Sequence, residues 1–210
     1  MKSTTDFEEI KNTLSKARLS TYEKVTPNTE KALELYQWNL QISSALLVCL
    51  AVCEVVIRNG ISEALEKIYD KNWTKDSTFL ASLPQNARQT LTDATIKNSL
   101  TDKIIPELPF FFWQSMFTKR FDKKIWNNSL LRVFPNVSSQ DIQTERLSIY
   151  NDLDDLRKLR NRIAHHEPIF NRDIQDDYAL IKKIIAYRSN ETADWLDKWQ
   201  NVTALIKQKP

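Results

Sequence analysis

Apolar positions recur at every third or fourth residue along most of the chain, the spacing that lines one face of an α-helix. Phe7, Ile10 and Leu14 form a short amphipathic opening, and Pro27-Asn28-Thr29-Glu30 predicts a turn into a helix capped by Asn28 or Thr29. Over residues 31–57 the pattern thickens into a near-continuous apolar run from Ile42 to Ile57. A membrane span needs about 20 apolar residues and Glu54 interrupts this run, so it predicts a central core helix. Residues 62–72 continue the helix until Asn72-Trp73-Thr74 breaks it; another begins near Pro84 and runs through Arg88, Leu91 and Ile96, with Pro106 and Pro109 closing the region. Pro135-Asn136-Val137-Ser138-Ser139 is a loop leading to the next helix, placed at about residues 144–167 by Leu153, Leu156, Leu159 and Ile163 and ended by Pro168. Residues 174–187 and 194–205 complete the set.

Composition narrows this to an all-α protein. The chain has 210 residues and a single glycine, Gly60, which excludes a glycine-rich phosphate loop and disfavours hairpin-rich β architecture. That length supports one helical bundle domain over residues 1–210, with 1–30 as an N-terminal extension. A formal charge of +3 is compatible with a nucleic-acid partner without demanding one. The two cysteines, Cys49 and Cys53, sit four apart on an apolar helical face, which suits buried free thiols better than a disulfide. With no apolar leader in Met1-Lys2-Ser3-Thr4-Thr5-Asp6, this predicts a reducing cytoplasm and no membrane partner. No zinc spacing is present and no cofactor is expected, because His165 and His166 are adjacent instead of spaced for a tetrahedral site.

Those two histidines are the only ones in the chain, and they lie in the last turn of the expected 144–167 helix. Asn161 and His165 are separated by about 40° around a helix, with Arg160 flanking them beside the apolar stripe. Histidine exchanges a proton near neutral pH, while arginine offers a planar fork of donors matched to phosphate oxygens. The sector therefore suits phosphodiester chemistry. It equally suits a plain structural role, in which a histidine complements a helix C-terminus and Arg160 lays its stem along the apolar stripe.

The string Arg160-Asn161-Arg162-Ile163-Ala164-His165 resembles the Arg, polar, spacer, His signature of the HEPN superfamily of helical ribonucleases. Extended through His166-Glu167-Pro168-Ile169-Phe170, it looks like the hallmark of the Abi-like (abortive infection) family within it. Ala32-Leu33-Glu34-Leu35-Tyr36-Gln37-Trp38-Asn39, Glu54-Val55-Val56-Ile57-Arg58-Asn59-Gly60-Ile61, and Arg18-Leu19 with Tyr22 resemble further blocks of that family, in the same order. The resemblance implies a metal-independent endoribonuclease in which His165 is the base, Arg160 stabilises the phosphorane and Asn161 orients one of them. It also implies that Glu54, Arg58 and Asn59 lie near this helix, although Arg58 is equally the helical i,i+4 partner of Glu54. His166 remains an alternative base, and Glu167 is left to fix a histidine tautomer or to cap. One protomer offers one His165, so acid and base together imply a homodimer, with the apolar stripe beside the motif as its seam. An antitoxin or regulatory protein and an RNA substrate complete the implied partners.

A second region carries charge. Trp113, Phe117 and Phe121 share a helical stripe, while Lys119, Arg120, Lys123 and Lys124 surround the single Asp122. Either this is an aromatic core stripe under a solvated basic face, or it is a wall that tracks an RNA backbone with an exposed aromatic for stacking. Phe112 stands where proteins of the resembled family often carry glycine before the tryptophan.

Overall fold

A computed structural model describes residues 4–210; the leader reading at Met1-Lys2-Ser3 lies outside them. Twelve α-helices, joined by 3₁₀ turns and one π-turn, make up the described residues, and no strand occurs among them. Two short helices, α1 (Thr4–Leu14) and α2 (Lys16–Glu23), lead to α3 (Thr29–Tyr69), the 41-residue axis of the molecule. The Asn28 side chain accepts the Lys31 amide and so caps α3, which decides between the two expected cap residues. This helix continues through Gly60, with no proline to interrupt it, and ends at Tyr69, just before the break expected at Asn72-Trp73-Thr74.

The middle of the chain is broken into short pieces: α4 (Ser77–Ser82), α5 (Gln85–Lys97), α6 (Thr101–Ile104), α7 (Phe110–Ser115) and α8 (Asn127–Val133). Between α7 and α8 the backbone forms a 3₁₀ turn at Lys119–Phe121 and a π-turn at Asp122–Trp126, so the aromatic stripe is not one helix. Its residues are core all the same. Trp113, Phe117 and Phe121 are buried, and Phe117 stacks on Trp126 with ring centroids 4.5 Å apart. Phe112, which departs from the glycine often found there in the resembled family, is likewise buried, edge-on to Trp113 at 5.2 Å.

The motif helix, α9, spans Ile142–Ala164 and is capped by Asp141, whose carboxylate accepts the Gln143 and Thr144 amides. Leu153, Leu156, Leu159 and Ile163 are all buried against neighbouring helices. After it come α10 (Ile174–Arg188), α11 (Asn190–Trp199) and α12 (Val202–Ile206), the last two replacing the single helix expected over 194–205. Helices α2, α8, α9, α10 and α12 all pack on α3.

Gly60 explains itself at this packing surface. A Cβ there would stand 2.9 Å from Val133 Cγ1 and 3.0 Å from Arg188 Nη1, so only glycine lets α8 and the Arg188 side chain approach α3 this closely. Cys49 and Cys53 are buried free thiols, and burial pushes the Cys49 thiol up to about 11 and that of Cys53 higher still.

One face of α3 is left open among the described residues. Leu40, Leu47, Val48 and Val55 are exposed at helical spacing, with Ser44 and Ala51 completing the stripe. Helix α3 also has the length and apolar character of a membrane span, with a mean hydropathy of 2.3 over its most apolar stretch, of which 39% is buried inside the chain.

Candidate functional site

The C-terminal end of α9 carries the histidines, but the helix stops before them. His165 is the C-cap, at φ −90°, ψ 8°, and His166 adopts the left-handed backbone at φ 55°. The His166 amide donates to Ile163 O at 3.0 Å and the Glu167 amide to Arg162 O at 2.8 Å. These paired bonds are the Schellman closure of a helix C-terminus, with His166 where glycine is usual. Both histidines therefore lie just beyond the expected final turn, and Pro168 is not the stop. The closure has already ended the helix when the chain reaches it.

Arg160, His165, His166 and Glu167 are exposed and Asn161 is half-buried. No side-chain hydrogen bond forms from Arg160, Asn161 or either histidine among the described residues, although Arg160 and Asn161 are anchored on a rigid helix. Glu167 lies 3.5 Å from Arg162 Nε, so it faces that arginine and neither imidazole.

From α3, Glu54 comes within the field of Arg160 at this end of α9. Burial pushes the Glu54 carboxyl above the usual carboxylate range, and Arg160 first, then Arg58, pull it partly back. Arg160 thus acts on Glu54 more strongly than the i,i+4 partner Arg58 does, and no ion pair closes on Glu54 among the described residues. Arg58 keeps its Nε buried with no acceptor among the described residues. Asn59 is exposed.

Lys119, Arg120, Lys123 and Lys124 are exposed but belong to the other end of α9. Asp122, in their midst, pairs with Arg146 at 2.7 Å, and Arg146 also donates to Phe117 O at 2.8 Å. At about 1.5 Å of rise per residue, Arg160 lies about 21 Å further along the helix from Arg146. The expected basic wall and the Arg–His sector are therefore separate surfaces, and the buried aromatics beside the basic residues offer no stacking face. Phe111 is the exposed aromatic of that region, with the Arg157 guanidinium 5.8 Å from its ring centre.

A further polar cluster on α9 was not apparent from the sequence pattern. In the middle of α9, Asp154 accepts from Arg157 at 2.7 Å and from Gln114 at 2.9 Å, and pairs with Lys158 at 2.7 Å. Those bonds, from Lys158 first, hold its carboxyl far below the usual carboxylate range. Arg157 and Lys158 are its i,i+3 and i,i+4 neighbours on α9, whereas Gln114 arrives from α7.

Among known proteins, no curated relative and no solved structure matches this chain. A family profile described as Abi-like protein matches residues 5–171, a stretch that includes Arg18, Asn39, Glu54, Arg58 and the whole Arg160 to Phe170 string. The chain therefore belongs to the Abi-like protein family.

Proposed function

We propose that this protein is an endoribonuclease of the HEPN type, cutting RNA without a metal in abortive-infection defence against phage. The observation that carries it is the unspent chemistry at the end of α9: Arg160 and His165 are exposed and Asn161 half-buried, and among the described residues none of the three side chains closes an internal hydrogen bond. An arginine serving only the fold has its charge paired within the protein, as Arg146 does with Asp122 at 2.7 Å.

In this mechanism the His165 imidazole takes the proton of a ribose 2′-hydroxyl. The freed oxygen attacks the adjacent phosphorus, the bond from phosphorus to the 5′-oxygen breaks, and that oxygen leaves with a proton from a second imidazolium. The products are a 2′,3′-cyclic phosphate and a 5′-hydroxyl. Arg160 offers its guanidinium to the oxygens on which charge builds, and Asn161 orients the histidine or the phosphate. Positioned proton transfer contributes about 10²- to 10⁴-fold, and preorganised charge a comparable factor. Glu54 attracts Arg160 without consuming its donors in a closed ion pair.

Two copies supply base and acid together, so the working unit is a homodimer. The apolar stripe of α9 is spent inside the protomer, which removes it as the seam. The open stripe of α3 replaces it, because it ends at Val55, beside Glu54 and Arg58. Leu47→Glu placed in that stripe is expected to shift the protein to monomer in analytical ultracentrifugation and to abolish cleavage together with it.

The test uses end-labelled RNA incubated in EDTA with the wild type and with His165→Ala. Cleavage with cyclic phosphate ends that falls by about 10²-fold or more in the variant supports the proposal. RNA binding that survives in both proteins with no cleavage by either overturns it in favour of a non-catalytic binding module.

A further inference from the structure

The segment just after His165 is held in an unusual way. Three successive alternate carbonyls, those of His166, Pro168 and Phe170, each accept a hydrogen bond from a different cationic side chain. Arg18 Nη1 reaches His166 O at 2.6 Å, Arg162 Nη2 reaches Pro168 O at 2.8 Å, and Lys209 Nζ reaches Phe170 O at 2.7 Å. Between them the Ile169 amide donates to the buried Asn39 Oδ1 at 2.8 Å. These four side chains come from α2, α9, the residues after α12, and α3.

Such a set of bonds answers a local need. Carbonyls past a helix end lose their intrahelical donors, Pro168 has no N–H to contribute, and His166 holds a left-handed backbone that side-chain-bearing residues disfavour. Left alone, this turn would fray and swing the imidazole of His165. Charged donors make short, strong bonds to carbonyls, and apolar packing finishes the anchor: Ile169 is fully buried and Phe170 rests 5.0 Å from Tyr22. Lys209 is itself steadied over the Trp38 ring, 5.4 Å from its centre, while the Trp38 indole donates to Leu205 O at 2.7 Å.

We infer that Arg18 and Lys209 are positioning residues for the histidine turn, gripping its backbone so that His165 presents one orientation to RNA. This rests on the ribonuclease proposal for its kinetic consequence, though not for the grip itself. Neither side chain touches the reacting atoms. Arg18 bonds the carbonyl of the residue next to the base, so its loss has the larger effect.

The experiment compares wild type, Arg18→Ala, Arg18→Lys and Lys209→Ala in steady-state RNA cleavage, with nitrogen-15 spectra of the imidazoles recorded in parallel. The chain has only two histidines, so each ring is followed individually. Misplacement of a reacting group by an ångström costs up to about a hundredfold, so Arg18→Ala is expected to lower kcat by about tenfold or more. KM and the melting temperature stay level, and the His165 signals broaden. Arg18→Lys keeps a single charged donor and restores most of kcat. Unchanged kcat and unchanged imidazole spectra in Arg18→Ala overturn the inference, as does a rise in KM alone, which makes Arg18 an RNA contact. A wild type that never cleaves overturns the ribonuclease proposal instead, and the imidazole spectra then decide the grip separately.

Discussion

Arg146 and Arg160 lie on the same helix and are the same residue type, yet they have opposite surroundings. Arg146 is 7% exposed, pairs with Asp122 at 2.7 Å and donates to Phe117 O, so its charge is spent within the protein. Arg160 is exposed, closes no bond among the described residues, and lies in the field of Glu54. One is used by the fold and the other is left available by it. The difference teaches where to look for chemistry on an all-helical scaffold: at polar groups fixed by their backbone but unsatisfied by their neighbours.

The sharpest way to break this comparison is to remove each arginine in turn. Arg146→Ala leaves Asp122 buried without its partner and is expected to cost about 3–5 kcal/mol in urea unfolding. Arg160→Ala touches no internal bond and stays within about 0.5 kcal/mol of wild type in the same measurement. A second contrast comes from the neighbours Asn59 and Gly60. Gly60→Ala drives a methyl against Val133 and Arg188 and costs about 1–3 kcal/mol, whereas the exposed Asn59→Ala stays within about 0.5 kcal/mol.

Two carboxyls sharpen the comparison through pH. The Asp154 carboxyl is held low by its bonds, so it stabilises the native state above the usual carboxylate range and that contribution is lost as pH falls through the range. The Glu54 carboxyl is held high by burial, so its contribution is present at low pH and is lost as pH rises through its raised value. Asp154→Asn should therefore flatten the acid side of a stability profile and Glu54→Gln the side above it, as read by melting temperature from pH 3 to 8. The smallest expected effect belongs to His166→Gly. Glycine suits the left-handed C-terminal position, so the variant gains about 0.5 kcal/mol and keeps its cleavage if His165 alone is the base.

Much of this was legible in the sequence. Periodicity located the long helices and the buried face of α9, and the turn residues narrowed the cap of α3 to Asn28 or Thr29, because those follow from local spacing and local polar groups. The family string and the convergence of Glu54 on Arg160 were legible too, the latter through resemblance alone. What escaped depends on backbone groups and on distant contacts. The stop before His165 was hidden because the Schellman position holds histidine in place of glycine, which left Pro168 as the visible breaker. The grip on His166, Pro168 and Phe170 was hidden because carbonyl acceptors carry no residue signature. The aromatic stripe at 113–121 gave the right burial and the wrong backbone, since π and 3₁₀ turns preserve which side chains face inward while interrupting the helix.

The most direct test of the contrast between the two arginines is a pair of values measured on Arg160→Ala: the rate of RNA cleavage and the midpoint of urea unfolding. The predicted result is loss of cleavage by about 10²-fold or more, with cyclic phosphate ends gone and the midpoint unmoved. Full cleavage with an unmoved midpoint, or an unfolding midpoint that collapses as in Arg146→Ala, would contradict it.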